Sequence, residues 1–135
     1  MGLIFDSSVL ICLERNLQNV EKIIAGKEEE PYGISVITVS ELLHGVNRAD
    51  SEKRRLEREA FVERVIELFP AYPFDLNAAR IYARVWANLV KKGVALGSHD
   101  LMIGATAVSL GFSVITTDIR DFEKIPGLKI ERFVP

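Results

Sequence analysis

The chain is short of the residues that most readily announce a chemistry. Its 135 residues include one cysteine, Cys12, and two histidines, His44 and His99. A lone cysteine closes no internal disulfide, which fits a reducing compartment and an expected cytoplasmic location. The same scarcity leaves no Cys/His cluster for a soft metal. Apolar runs long enough to cross a bilayer are missing too. The opening stretch MGLIFDSSVLICLERN carries Asp6 inside it and no basic segment before it, so it reads neither as a signal peptide nor as a span. There is no Gly-rich phosphate loop, internal repeat, low-complexity tract or linker. Charge of one sign is not in excess either: 17 Lys and Arg against 19 Asp and Glu give a formal net charge of -2. A polyanion must therefore be met by local basic patches or by metal ions, because the molecule as a whole does not attract it.

What is present suits one compact domain over residues 1–135, with 48% hydrophobic residues to fill a core. Gly2 to Phe5 reads as a strand, and Asp6-Ser7-Ser8 as the start of a helix from about Val9 to Asn16. A second helical stretch runs from Leu17 to Ala25, and a β-branched strand from Tyr32 to Ile37 leads straight into another helix. Leu56, Phe61, Val65 and Leu68 recur at helical spacing between Ser51 and Phe69, and Pro70 and Pro73 bracket a short extended piece around Tyr72. Asp75 suits an N-cap for a helix whose stripe of Ile81, Tyr82, Val85, Trp86, Leu89 and Val90 closes at Gly93. Leu101 to Leu110 is a buried helix ended by Gly111, Phe112 to Thr116 a strand, and Leu128 to Val134 a last, edge-like strand. Alternating strands and helices predict an α/β fold of three layers, α/β/α, around a mainly parallel central sheet.

In such sheets sites form beyond the carboxyl ends of the strands, which turns a set of acids into a geometric question. Asp6 ends the first strand, and in SVITTDIRDF Asp118 ends a later one, with Asp121 three residues on. Glu41 and Asp100 open helices. Each acid also has a purely structural reading: Glu41 completes a capping box with Thr38, and Asp100, after a Ser98 cap, gains from the helix dipole. Asp6 and Asp118 are harder to explain that way, since a carboxylate closing a buried strand loses hydration without an evident partner. Four carboxylates at one rim repel one another unless a divalent cation lies between them, and all-oxygen ligation selects Mg²⁺ or Mn²⁺. Such an ion lowers the pKa of a bound water and aligns it for attack on phosphorus, so the reaction class is phosphodiester hydrolysis. Ser7, Ser8, Thr116 and Thr117 flank the acids and either orient a carboxylate or cap turns.

Competing readings are few. His44 and His99 could act without metal as general base and acid on an RNA 2′-hydroxyl, a route that survives chelation but leaves the acids unexplained. A haloacid-dehalogenase-type phosphatase wants a second Asp where Ser8 stands, and a receiver domain wants an acidic pair, a central Asp and a downstream Lys that do not occur in order. Lys53, Arg54, Arg55 and Arg58 are interleaved with Glu52, Glu57, Glu59 and Glu63, which describes an ion-paired solvent face. Arg15, Arg48 and Arg120 each follow a site motif by a few residues and are candidates to meet a phosphate.

The stretches FDSSVLI, ISVITVSELLHGVNR, DLMIGATAVSLGFSVITTD and DFEKIPGL resemble, in order and from end to end, the successive motifs of PIN-domain ribonucleases, specifically the VapC toxins of prokaryotic toxin-antitoxin pairs. The resemblance implies a PIN-like fold and a metal site with Asp6, Glu41 and Asp100 as three of its acids. The fourth falls in TTDIRDF. Many VapC proteins have Asn where Asp118 stands and keep the acid matching Asp121, whereas other PIN domains carry Asp at the position of Asp118. Asp118 is taken first for its place at the strand end, with Asp121, Ser7 and Thr116 as further candidates. Ser7 stands where the family often has Thr. The same resemblance implies a Mg²⁺- or Mn²⁺-dependent endoribonuclease, a homodimer, and inhibition by a VapB-type antitoxin. Its alternative is a PIN fold that only binds protein.

Overall fold

The alternation of side chains along the first strand sets the architecture. In β1 (Leu3–Phe5) all three residues are buried, and successive side chains face opposite ways. Leu3 and Phe5 join one apolar cluster with Val9, Leu10, Ile34, Val65 and Phe69, while Ile4 joins another with Val85, Leu89, Leu101, Ile103 and Val114. A strand buried on both faces belongs at the centre of a parallel sheet, and this one does. The computed structural model describes residues 1–135. In it β1 lies between β2 (Tyr32–Ser35) and β4 (Ser113–Thr116), with β3 (Ala71–Tyr72) and β5 (Ile130–Arg132) at the edges. The order is β3-β2-β1-β4-β5 and every pairing is parallel.

Helices α1 (Ser7–Cys12), α2 (Val20–Ile23) and α4 (Glu52–Leu68) cover one face; α5 (Leu76–Lys91) and α6 (Ser98–Leu110) cover the other. Helix α3 (Val36–Asn47) contributes Val39 and Leu42 to the first cluster and Ile37 to the second. Phe5 anchors the first layer, edge-on to Phe69 with ring centroids 5.1 Å apart. Burying one such ring contributes about 1.5–3 kcal/mol. On the second face Gly104 lets α6 close on the segment after β4: a Cβ there would run into Ile125 Cδ1. Gly111, at φ 71°, ends α6 in the left-handed conformation that glycine adopts without strain.

Several boundaries differ from the expectation for local reasons. The first helix starts at Ser7 and stops at Cys12, and the stretch from Leu17 splits into a 3-10 turn (Leu17–Asn19) and the single turn of α2. Helices this short gain little from propagation and lean on packing instead. The second strand ends at Ser35 because Ser35 is the N-cap of α3, accepting from Ile37 N at 3.0 Å. That overturns the Thr38 capping box. Thr38 is inside the helix and fully buried, and its hydroxyl has no partner. Likewise Gly97, not Ser98, holds the N-cap position of α6. Asp75 caps α5 as expected, accepting from Ala78 N at 2.9 Å. Along α4 the apolar stripe is only half enclosed: Val62 and Val65 are buried, Leu56 and Leu68 exposed.

Candidate active site

Asp6 leaves β1 at the carboxyl edge of the sheet and occupies the N-cap position of α1 without capping it. Its side chain turns instead to β4. Oδ2 accepts from Ser8 Oγ at 2.7 Å and from Thr116 Oγ1 at 2.9 Å, and the residue is 8% exposed. The two hydroxyls are themselves fixed: Thr117 N donates to Ser8 Oγ, and Asp118 N to Thr116 Oγ1, each at 3.2 Å. A buried carboxylate thus has one oxygen held by two donors and the other left to a further partner. Ser7 makes no such bond, so the hydroxyl that orients Asp6 is that of Ser8, with Thr116.

Glu41 stands in the second turn of α3 and is half-buried. Its Oε1 is buried without a partner, and its Oε2 lies 3.3 Å from His99 Nδ1. Burial raises its pKa, opposed by His99 and reinforced by the charge of Asp6. Asp100, in the first turn of α6, is pushed up to about 6. Burial is the first cause; the negative charges of Asp6, Asp121 and Glu41 follow, with a carboxyl contact to Asp121 added. A helix N-terminus ordinarily favours a carboxylate, so burial, with the crowding of like charge, outweighs the dipole here.

The two acids of TTDIRDF separate. Asp118 is exposed and turned to Arg120, whose Nη2 donates at 2.6 Å and Nε at 2.9 Å, while Arg120 N donates to Oδ1 at 3.1 Å. Those bonds hold its carboxyl at about 2, and its charge is not among those pressing on Asp100. Asp121, just before the 3-10 turn Phe122–Lys124, is among them; Lys124 Nζ donates to its Oδ1 at 3.1 Å and to Ala95 O at 3.0 Å. Asp6, Glu41 and Asp121 thus act electrostatically on Asp100 and Asp118 does not, although Asp118 and Asp121 are equally exposed, at 52%, and each is paired with a nearby cation. No three Asp, Glu, His or Cys side chains are drawn tightly enough to enclose an ion as they stand.

Residues 3–128 match the sequence profile of the PIN domain. The chain belongs to the PIN-domain family. This PIN domain is 39% identical over 133 residues to Ribonuclease VapC1 of Rickettsia felis, covering 96% of this chain and 95% of that protein. It is 38% identical over 98 residues to the tRNA(fMet)-specific endonuclease VapC of Salmonella typhimurium, covering 73% and 72%. Among solved structures, DNA-bound VapBC from Salmonella typhimurium superposes with a TM-score of 0.83 at 30% identity, over 98% of both chains.

The donor set of this PIN domain suits a hard dication. It is all oxygen, one of those oxygens, Glu41 Oε1, is buried and unpartnered, and the carboxylates repel until a cation relieves them. The remaining sequence candidates are scattered. His44 is exposed near the end of α3 without a hydrogen bond, whereas His99 touches Glu41. Arg15 lines a separate groove of about 900 Å³ beside α4. The Lys124 clasp was not foreseen, although its three-residue spacing from Asp121 in DFEK was a readable signal.

Proposed function

We propose that this PIN domain is an endoribonuclease toxin that hydrolyses RNA phosphodiester bonds with Mg²⁺ or Mn²⁺ held by Asp6, Glu41, Asp100 and Asp121, and that a VapB-type antitoxin neutralises it. One observation carries the reading: four carboxylates from four distant segments press on one another at the carboxyl edge of the sheet. The names of the VapC relatives and the VapBC structure support the RNA substrate and the antitoxin.

A bound dication supplies a water of lowered pKa and neutralises charge developing on the phosphate oxygens. The protein's part is orientation. Ser8 and Thr116 fix Asp6 through Oδ2 and leave Oδ1 to a ligand. Glu41 would hold the ion in place of its contact to His99, and Asp100 would have to give up a proton that burial and its neighbours favour, so ion affinity should rise with pH through about 6. Asp118 stays with Arg120 outside this set. Exposed Trp86 and Val90 on α5, at 55% and 66%, support a homodimer, for which they supply an apolar face. We place the protein in the cytoplasm; no helix is long and apolar enough to cross a membrane.

The test is cleavage of labelled single-stranded RNA with Mn²⁺ or Mg²⁺. Cutting stops in EDTA, leaves 5′-phosphate ends, and is lost in Asp6→Asn. Cleavage that persists in EDTA with cyclic or 3′-phosphate ends moves the chemistry to His99. A wild type that binds Mn²⁺ but cuts no RNA reduces the fold to a protein-binding module.

A further inference from the structure

Helix α3 carries a glycine that its packing does not explain. Gly45 lies in the last turn of the helix, where a side chain would be tolerated, and a Cβ there would meet nothing within 4 Å. It stands on one helix face between Glu41, four residues before it, and Arg48, three after. Seven residues are two turns, so Arg48 lies about 10 Å along the axis from Glu41.

The space over that glycine is a built trough. A cleft of about 300 Å³ runs from Glu41 past Gly45 to Arg58, with Phe61 on its wall and Glu14 opposite. It continues into a hollow of about 340 Å³ formed by Gly45, Arg48, Asp50 and Arg58. Asp50 is taken up by Arg54, which donates to both its oxygens at 3.2 and 3.0 Å. Arg58 spends one bond on Gly45 O at 3.0 Å and meets no carboxylate, and Arg48 has no partner. Three residues earlier on α4, by contrast, Arg55 is saturated by Glu52 and Glu59.

We infer that this trough is the path of the single-stranded RNA: one phosphate lies at the acid cluster, the chain crosses Gly45 where no side chain blocks it, and the phosphates beyond are met by Arg48 and Arg58. The inference rests on the nuclease reading for its starting phosphate. Its charge logic is independent, because Arg48 and Arg58 meet no carboxylate beside an open floor and complement a polyanion, with Glu14 on the opposite wall the one anion the chain must pass. Phe61 offers an apolar wall against which a base can lie.

The experiment uses full-length Asp6→Asn protein, so that RNA stays uncut, with Mg²⁺ and a fluorescent single-stranded oligoribonucleotide read by anisotropy. Arg48→Ala and Arg58→Ala each weaken binding roughly five- to tenfold, the effect of one partly solvated charge-assisted contact. Each also lowers the slope of log affinity against log salt by about 0.7. Gly45→Leu fills the floor and abolishes binding while its melting curve stays cooperative. Gly45→Ala melts no lower than its parent. Arg55→Ala binds as its parent. Unchanged affinity and salt slope in both Arg48→Ala and Arg58→Ala overturn the inference and leave an acidic protein segment as the occupant the charges fit. Arginine variants that weaken binding no more than Arg55→Ala does overturn it equally. If the nuclease reading fails, wild-type protein does not cut, yet the binding arm still reports on the trough.

Discussion

Replacing Asp100 by asparagine should make this protein more stable in the same step that inactivates it. The carboxyl of Asp100 is raised to about 6 from an ordinary 3.8 by burial and by the charges of Asp6, Asp121 and Glu41. An acid raised on folding holds its proton more tightly in the native state. Stability therefore falls as pH rises from 3.8 through 6, and the whole penalty is present above that. At 1.36 kcal/mol per pKa unit the shift corresponds to about 3 kcal/mol, and partial exposure of the side chain cuts this to about 1.5. Asp100→Asn removes the charge at nearly constant shape. In EDTA at pH 7.5 the variant should gain about 1.5 kcal/mol, or about 3–6 °C in melting temperature. The gain should vanish near pH 4, where wild type is protonated anyway. Manganese should reverse the order: at a hundred times its Kd it stabilises wild type by about 2.7 kcal/mol, and the variant far less. Urea titrations at the two pH values, each with and without Mn²⁺, read all of this. A variant no more stable than wild type in EDTA at pH 7.5 would refute the account of Asp100 as a crowded carboxylate.

Asp121→Asn should lose RNA cleavage and Mn²⁺ affinity, whereas Asp118→Asn should keep both, because Asp118 is spent on Arg120; calorimetric Mn²⁺ titration beside the cleavage assay separates them. Thr116→Val withdraws one of two donors from buried Asp6 and should cost about 1–3 kcal/mol in urea unfolding, with metal affinity reduced about 10- to 100-fold. Trp86→Glu puts a charge on the exposed face of α5 and should shift the protein to monomer in light scattering without lowering its melting temperature by more than a degree or two.

The layers were legible because they depend on patterns that repeat. The small residues of α6 and the β-branched run before Asp118 bury against the sheet as their spacing predicts, and so do Val85 and Leu89 of the α5 stripe, while its Trp86 and Val90 stay exposed. Asp6, Glu41 and Asp100 were reachable for the same reason, since strand ends and helix starts fall on one edge. What stayed hidden was decided by partners only a few residues away. Ser35 and Thr38 both suit an N-cap, and the choice fell on Ser35 because Thr38 is needed inside the helix, fully enclosed. Asp118 sits at the strand end, as read, and a turn brings Arg120 onto it two residues later as a bidentate partner that spacing alone did not announce. Asp121, as exposed as Asp118, is the one whose charge acts on Asp100, and Lys124 ties it to the loop before α6.

The bond from Thr116 to Asp6 joins residues 110 positions apart. A nascent chain has made Asp6, Glu41 and Asp100 before it makes the strand that orients the first of them, and Asp121 emerges later still. The acid cluster is therefore completed only late in synthesis, by topology alone, once almost every strand has been delivered to the sheet.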